Sequence, residues 1–164
     1  MLTKQYLLDS NCFIQGARYY PQDIFPSFWT NIKKLIDNNT IVIHETVLDE
    51  LYENKDDLTA WLKTVPSFEK VTISEDVLKK YVEIDEWVRN PKQNYTSEAI
   101  SNFENNKKAD AWICAQCAVD GYILVTNEKF SNAISNVKIP KVCKEFDIPC
   151  MSMFDFMRIQ KFIF

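Results

Sequence analysis

Short runs of consecutive apolar residues alternate along the chain with stretches whose apolar positions recur every three to four residues. Tyr6-Leu7-Leu8 is the first such run and ends in Asp9-Ser10-Asn11. It predicts a strand buried on both faces and stopped by turn formers. The stretch from Gly16 to Pro26, rich in aromatics and proline, reads as a loop. Residues 27–37 predict a helix with Phe28, Ile32, Leu35 and Ile36 on one face, broken by Asn38-Asn39. Ile41-Val42-Ile43 is a second buried strand. A helix over 45–54 follows, with Val47, Leu48, Leu51 and Tyr52 facing inward, and another over 56–65, stopped by Pro66.

Val71-Thr72-Ile73 has the composition of an edge strand. Ser74 then caps a long helix to Arg89, with Glu75 and Asp76 in its first turn. Thr96 or Ser97 opens a short helix to about Asn105. Residues 108–120 are apolar nearly all round, which predicts a buried helix closed by Gly121. Tyr122-Ile123-Leu124-Val125 is another buried strand, ending in Thr126-Asn127-Glu128. A short helix after Pro140 lies within 137–146, Pro149-Cys150-Met151-Ser152 leads into a last strand, and 154–164 predict a C-terminal helix. No repeat or linker interrupts the alternation. It predicts a single α/β domain over 1–164 with a mostly parallel sheet.

Composition narrows the chemistry. The 164 residues suffice for one sizeable core. The two glycines, Gly16 and Gly121, leave no phosphate-cradling loop, dinucleotide fingerprint or nucleophile elbow. A lone histidine, His44, removes most zinc-hydrolase and Cys/His schemes. The net charge of −4 gives no global attraction to nucleic acid, yet a site that holds divalent cations is itself locally acidic. No apolar stretch reaches the ~18–20 residues of a membrane span, and the N-terminus lacks a signal-peptide layout. Five cysteines, an odd number, suit reduced thiols in a cytoplasmic protein.

Topology concentrates four acids. In a parallel sheet the C-terminal ends of strands and the N-terminal ends of the helices share one edge, where ligands bind. Asp9 ends the first strand, and Glu128 follows the strand from Tyr122. Asp110 lies in the first turn of the buried helix, between Ile113, Cys114 and Cys117 on its surface. Glu50 is in the second turn of the helix over 45–54, where periodicity does not separate it from Asp49. A charge on a buried helix needs a partner, and hard carboxylate oxygens suit Mg²⁺ or Mn²⁺. Such ions can activate a water and stabilise the leaving oxygen of a phosphodiester. Each acid taken singly is as well explained as a turn former or helix cap.

Other candidates carry blander alternatives. Cys114-Ala-Gln-Cys117, with Cys143 and Cys150, has the outline of a zinc or redox group, but buried helical cysteines usually serve as small hydrophobes. His44 could be a general base or a hydrogen-bonded structural residue. Arg18, Lys107, Lys108 and Lys129 fall on or near the carboxylate edge and could hold phosphates, while Tyr19, Tyr20 or Trp29 stacks on an unpaired base; the plain alternative is solvated lysines and core aromatics. The apolar end, Phe162-Ile163-Phe164, docks on the body or on a second copy of the chain, so a homodimer stays open.

The segments Tyr6-Leu7-Leu8-Asp9-Ser10-Asn11, Val47-Leu48-Asp49-Glu50-Leu51, Ala109-Asp110-Ala111-Trp112-Ile113-Cys114-Ala115 and Leu124-Val125-Thr126-Asn127-Glu128-Lys129-Phe130 resemble, in order and spacing, the acidic motifs of PIN domains, a metal-dependent nuclease fold. Arg18-Tyr19-Tyr20-Pro21, Lys138-Ile139-Pro140-Lys141-Val142-Cys143 and Phe154-Asp155 are similar to a bacterial PIN-like family of unassigned function. The resemblance covers almost the whole chain. It implies a three-layer α/β fold with a five-stranded parallel sheet in the order 3-2-1-4-5. It further implies Mg²⁺- or Mn²⁺-dependent RNA cleavage, commonly by the toxin of a toxin–antitoxin pair, which makes an antitoxin protein an expected partner. It favours Glu50 over Asp49, giving Asp9, Glu50, Asp110 and Glu128 as metal ligands, supported by Asn11 and by Thr126, which would orient a carboxylate or water. The fourth acid is usually Asp, and Glu128 reaches further, so it binds the ion directly or through water. A metal-dependent DNase or flap-type nuclease, and a non-catalytic PIN-like binding module, are the competing functions.

Overall fold

The computed structural model describes residues 3–54, 56–65, 71–105 and 109–164. Tyr6–Leu8 forms β1 with all three side chains buried, as a continuous apolar run requires of a strand covered on both faces. Ile41–Val42 forms β2, Ile123–Val125 β3 and Cys150–Met151 β4. The strands are parallel in the order β2-β1-β3-β4, with Leu7 opposite Val42 on one side and Leu124 on the other, and Leu124 opposite Cys150. β1 is therefore central.

The described residues hold four strands rather than the five of the 3-2-1-4-5 order. The missing member is the outer one at 71–73; the order of the rest is as expected. Val71 is buried, and the Thr72 carbonyl accepts from Gln116 Nε2 at 3.4 Å. Side-chain packing and the Gln116 amide anchor this segment in place of a ladder.

Ser10–Tyr19 forms α1, directly after β1. Its first residues, read from sequence as a strand-stopping turn, also open a helix, with Asp9 as its N-cap. The expected loop from Gly16 begins only after Tyr19. Pro26–Asp37 forms α2 with proline in its first turn. Glu45–Glu53 forms α3 and Asp57–Leu62 α4; Pro66, expected to stop the latter, lies outside the described residues. Glu75–Arg89 forms α5, capped as expected by Ser74, which accepts from Val77 N at 3.3 Å. A single 3₁₀ turn, Pro91–Gln93, leads to α6, Ser97–Glu104, capped by Thr96. Asp110–Asp120 forms α7, buried along Ala111, Ile113, Cys114, Ala115, Gln116 and Cys117. It packs on α5, with Tyr81 stacked on Trp112 at 4.2 Å.

Ile139–Glu145 forms α8, with Pro140 inside its first turn rather than ahead of it, and Met153–Ile159 forms α9. The last helix is thus shorter than the expected 154–164. Lys161 takes φ 56° and turns the chain back, and Phe162 N donates to Met157 O at 2.9 Å. Phe162 then packs on Phe28 and Phe156, and Phe164 stacks on Tyr20 at 5.6 Å. The apolar end docks on the chain's own body. Among the described residues no helix is long and apolar enough to cross a membrane.

Gly121 ends α7 at φ +74°, with nothing within 4 Å of where a Cβ would stand. Gly121→Ala is therefore expected to destabilise by about 1–2 kcal/mol through backbone strain alone. Urea unfolding checks this; an unchanged midpoint would contradict it.

Candidate metal centre

Because β1 is central and each helix runs back against the sheet, the end of β1, the turn after β3 and the starts of α1 and α7 meet at one edge. A cleft of about 560 Å³ opens there. It is bordered by Ser10, Asn11, Glu50, Asp110, Glu128 and Lys138, among others. Asp9 lies behind this rim with no exposed surface. Asp49, which the sequence alone did not separate from Glu50, is exposed and does not line the cleft.

Asp9 is anchored from the neighbouring strand end. Its backbone N donates to Val125 O at 2.9 Å, and Thr126 Oγ1 donates to its Oδ2 at 3.1 Å. The same Thr126 hydroxyl accepts from Glu128 N at 3.1 Å, tying two acidic positions to one side chain. Burial pushes the Asp9 carboxyl up to about 6, against the lowering bond from Thr126; the charges of Glu128 and Glu50 push it the same way, and the Asn11 backbone opposes them.

Glu50 spans two elements: its Oε2 accepts from Ser10 Oγ at the start of α1, and its Oε1 from Ala109 N ahead of α7. Asp110 opens α7 and faces the same cleft, half-buried. Glu128 reaches across to α8, where its Oε2 accepts from Ile139 N at 2.7 Å and its Oε1 pairs with Lys138 Nζ at 3.6 Å. A carboxylate at a helix start, paired with a lysine, is well satisfied by protein alone. Lys138 was not singled out in the sequence as a site residue; only the structure shows that the longer reach of Glu128 meets it.

Among the described residues no three Asp, Glu, His or Cys side chains are drawn together tightly enough to ring an ion. The donor set still fits a hard divalent cation. It consists of carboxylate oxygens on one cleft, and the buried member, Asp9, carries a charge that its neighbours raise in energy. Asp9, Glu50 and Asp110 are the residues that would hold such an ion, and Glu50 would give up a protein donor to do so.

The remaining candidates fall elsewhere. Arg18 is exposed in the last turn of α1, about 12 Å along the helix axis from Ser10, and Lys129 is exposed just beyond Glu128; neither borders the acid cleft. Lys107 and Lys108 lie outside the described residues. Trp29 is buried and donates Nε1 to Tyr20 O at 2.6 Å, so it offers no face to a base. His44 is fully buried as the N-cap of α3, where its Nδ1 accepts from Thr46 N at 3.2 Å and burial lowers its pKa; it does not border the cleft, so it has no access to general-base chemistry there. All five cysteines are free thiols, and burial raises Cys12 and Cys117 well above the usual range, as befits small core residues.

The sheet order and its helix layers define an α/β protein with a parallel sheet flanked by helices. One solved relative in fold is the crystal structure of VapBC2 from Rickettsia felis bound to a DNA fragment from their promoter; a chain of it matches with a TM-score of 0.56 and 21% identity, over 90% of this chain and 97% of that one. Over residues 6–164 the sequence matches the family described as a domain of unknown function, DUF4411, and the chain belongs to that family. No curated protein matches it.

The raised Asp9 carboxyl makes a signed prediction. A buried acid whose folded pKa lies above its unfolded value stabilises the fold only while protonated, and that stability is lost as pH rises through about 6. In chelator, Asp9→Asn should be more stable than wild type, by an amount that grows by about 1–2 kcal/mol between roughly pH 5 and 7.5. Parallel urea unfolding curves check this; a gap that is constant or narrows would contradict it.

Proposed function

We propose that this chain is a Mg²⁺- or Mn²⁺-dependent ribonuclease that hydrolyses RNA phosphodiester bonds, working as the toxin of a toxin–antitoxin pair. The observation that carries the reading is the buried Asp9 carboxyl behind a cleft bordered by Glu50, Asp110 and Glu128. A bound divalent ion supplies Lewis-acid activation of a water and compensates charge on the phosphoryl group. Asp9 and Asp110 are its main ligands and Glu50 completes the set. Glu128, held by Ile139 N and Lys138, takes part through water. Thr126 fixes the rotamer of Asp9 by its bond to Oδ2, and Ser10 holds Glu50 across the cleft. The antitoxin partner is supported by the fold shared with VapBC2, solved bound to a DNA fragment from its promoter.

A second reading has its own support. Glu50 and Glu128 each bond to two protein donors, which is how capping residues of a non-catalytic binding module would behave. Metal linkage separates the two. Under the nuclease reading, Mn²⁺ at about 100 times its Kd stabilises the wild type by about 2.7 kcal/mol, and Asp110→Asn abolishes that gain. Cleavage of single-stranded RNA in Mn²⁺ should fall on the order of 100-fold in the same variant. Thermal melting and gel-resolved cleavage read the two effects. No stabilisation and no cleavage would establish the binding module, and cleavage of single-stranded DNA but not RNA would replace ribonuclease with DNase.

A further inference from the structure

A second cleft, of about 370 Å³, adjoins the acid cleft, and Glu128 borders both. Its walls come from α1, α2 and α9 and include Tyr19, Tyr20, Phe28, Phe154 and Met157, with Lys129 at the rim. Two of these rings are not core residues. Tyr19 and Phe154 are each 61% exposed, and among the described residues neither stacks on another ring. Tyr20, by contrast, is stacked on Phe28 at 4.7 Å and on Phe164 at 5.6 Å. The Arg18 guanidinium lies 5.7 Å from the Tyr19 ring centroid. At the mouth, Asn127 Nδ2 donates to Gln15 Oε1 at 2.8 Å.

Exposed ring faces, two cations in a chain of net charge −4 and an amide pair are assembled beside a cleft suited to phosphodiester chemistry. An unpaired base uses all three: a ring for its π-face, amides for its edge, cations for the flanking phosphates. An apolar protein helix laid here would desolvate Arg18 and Lys129 without offering either an anion. The geometry points to this cleft as a nucleobase-binding subsite, where an unpaired base of the substrate strand packs against both Tyr19 and Phe154 while the strand continues past Glu128 toward Asp9. The identity of the strand as RNA rests on the proposed function; the stacking does not depend on cleavage.

Binding of single-stranded RNA in EDTA reads affinity apart from hydrolysis. Tyr19→Ala and Phe154→Ala should each weaken binding about tenfold, the effect of losing one stacked base. Tyr19→Phe and Phe154→Tyr, which keep a ring, should restore it. Strands made abasic at successive positions should reveal one position where the wild type loses the same factor and the alanine variants lose nothing further. Wild-type affinity in both alanine variants, equal losses on base-bearing and abasic strands, or no RNA binding by the wild type would overturn the subsite. The two proposals fail separately. RNA held through these rings but never cut in Mn²⁺ sinks the nuclease and keeps the subsite, whereas RNA cut in Mn²⁺ with an affinity indifferent to both rings does the reverse.

Discussion

A carboxylate with no exposed surface stands at the end of the central parallel strand, and the architecture of the site follows from what it takes to keep it there. An unpaired buried charge is costly. Asp9 receives hydroxyl bonds from Thr126 at 3.1 Å and, more weakly, from Ser10 at 3.4 Å, while Glu50 and Glu128 lie near enough to raise its pKa rather than relieve it. The protein spreads the surrounding acids over separate anchors. Glu50 bonds the start of α1 to the residue before α7, and Glu128 bonds the turn after β3 to the start of α8. The same side chains thus hold the edge of the sheet together and concentrate negative charge on it, a local conflict that marks functional sites more often than structural ones.

Most of the frame was legible from the sequence because burial on both faces leaves an unambiguous pattern. Tyr6-Leu7-Leu8 is a strand throughout, and Ile41-Val42-Ile43 and Tyr122-Ile123-Leu124-Val125 contain the strands Ile41–Val42 and Ile123–Val125. Ser74 capped its helix and Gly121 closed α7 in the left-handed conformation. The failures have physical causes. Asp9-Ser10-Asn11 stops a strand and starts a helix with the same residues, so the pattern shows a turn at 9–11 and a loop from Gly16 where the structure has α1. Val71 and Ile73 have strand composition but pack by side chain without a ladder. The reversal at Lys161 is a conformation that no hydrophobic period announces.

For the site, topology alone brought Asp9, Asp110 and Glu128 to one edge, since the end of a parallel strand and the start of an antiparallel helix must share it. It could not choose between Asp49 and Glu50, which flank the buried face of α3 equally; the resemblance did, and the structure places Glu50 on the cleft. Lys138 and the exposure of Tyr19 and Phe154 were invisible, because each depends on where distant elements meet. A fold shared with VapBC2 agrees with that topology, and the description of the family matched over residues 6–164 carries no function of its own.

The central claim is that a hard divalent ion completes the charge of the buried Asp9. Diffraction from a crystal soaked in Mn²⁺, recorded at the manganese edge, tests it without reference to any substrate. The account predicts an anomalous peak within about 2.2 Å of carboxylate oxygens from both Asp9 and Asp110. Full soaking with no peak between those two side chains would contradict it.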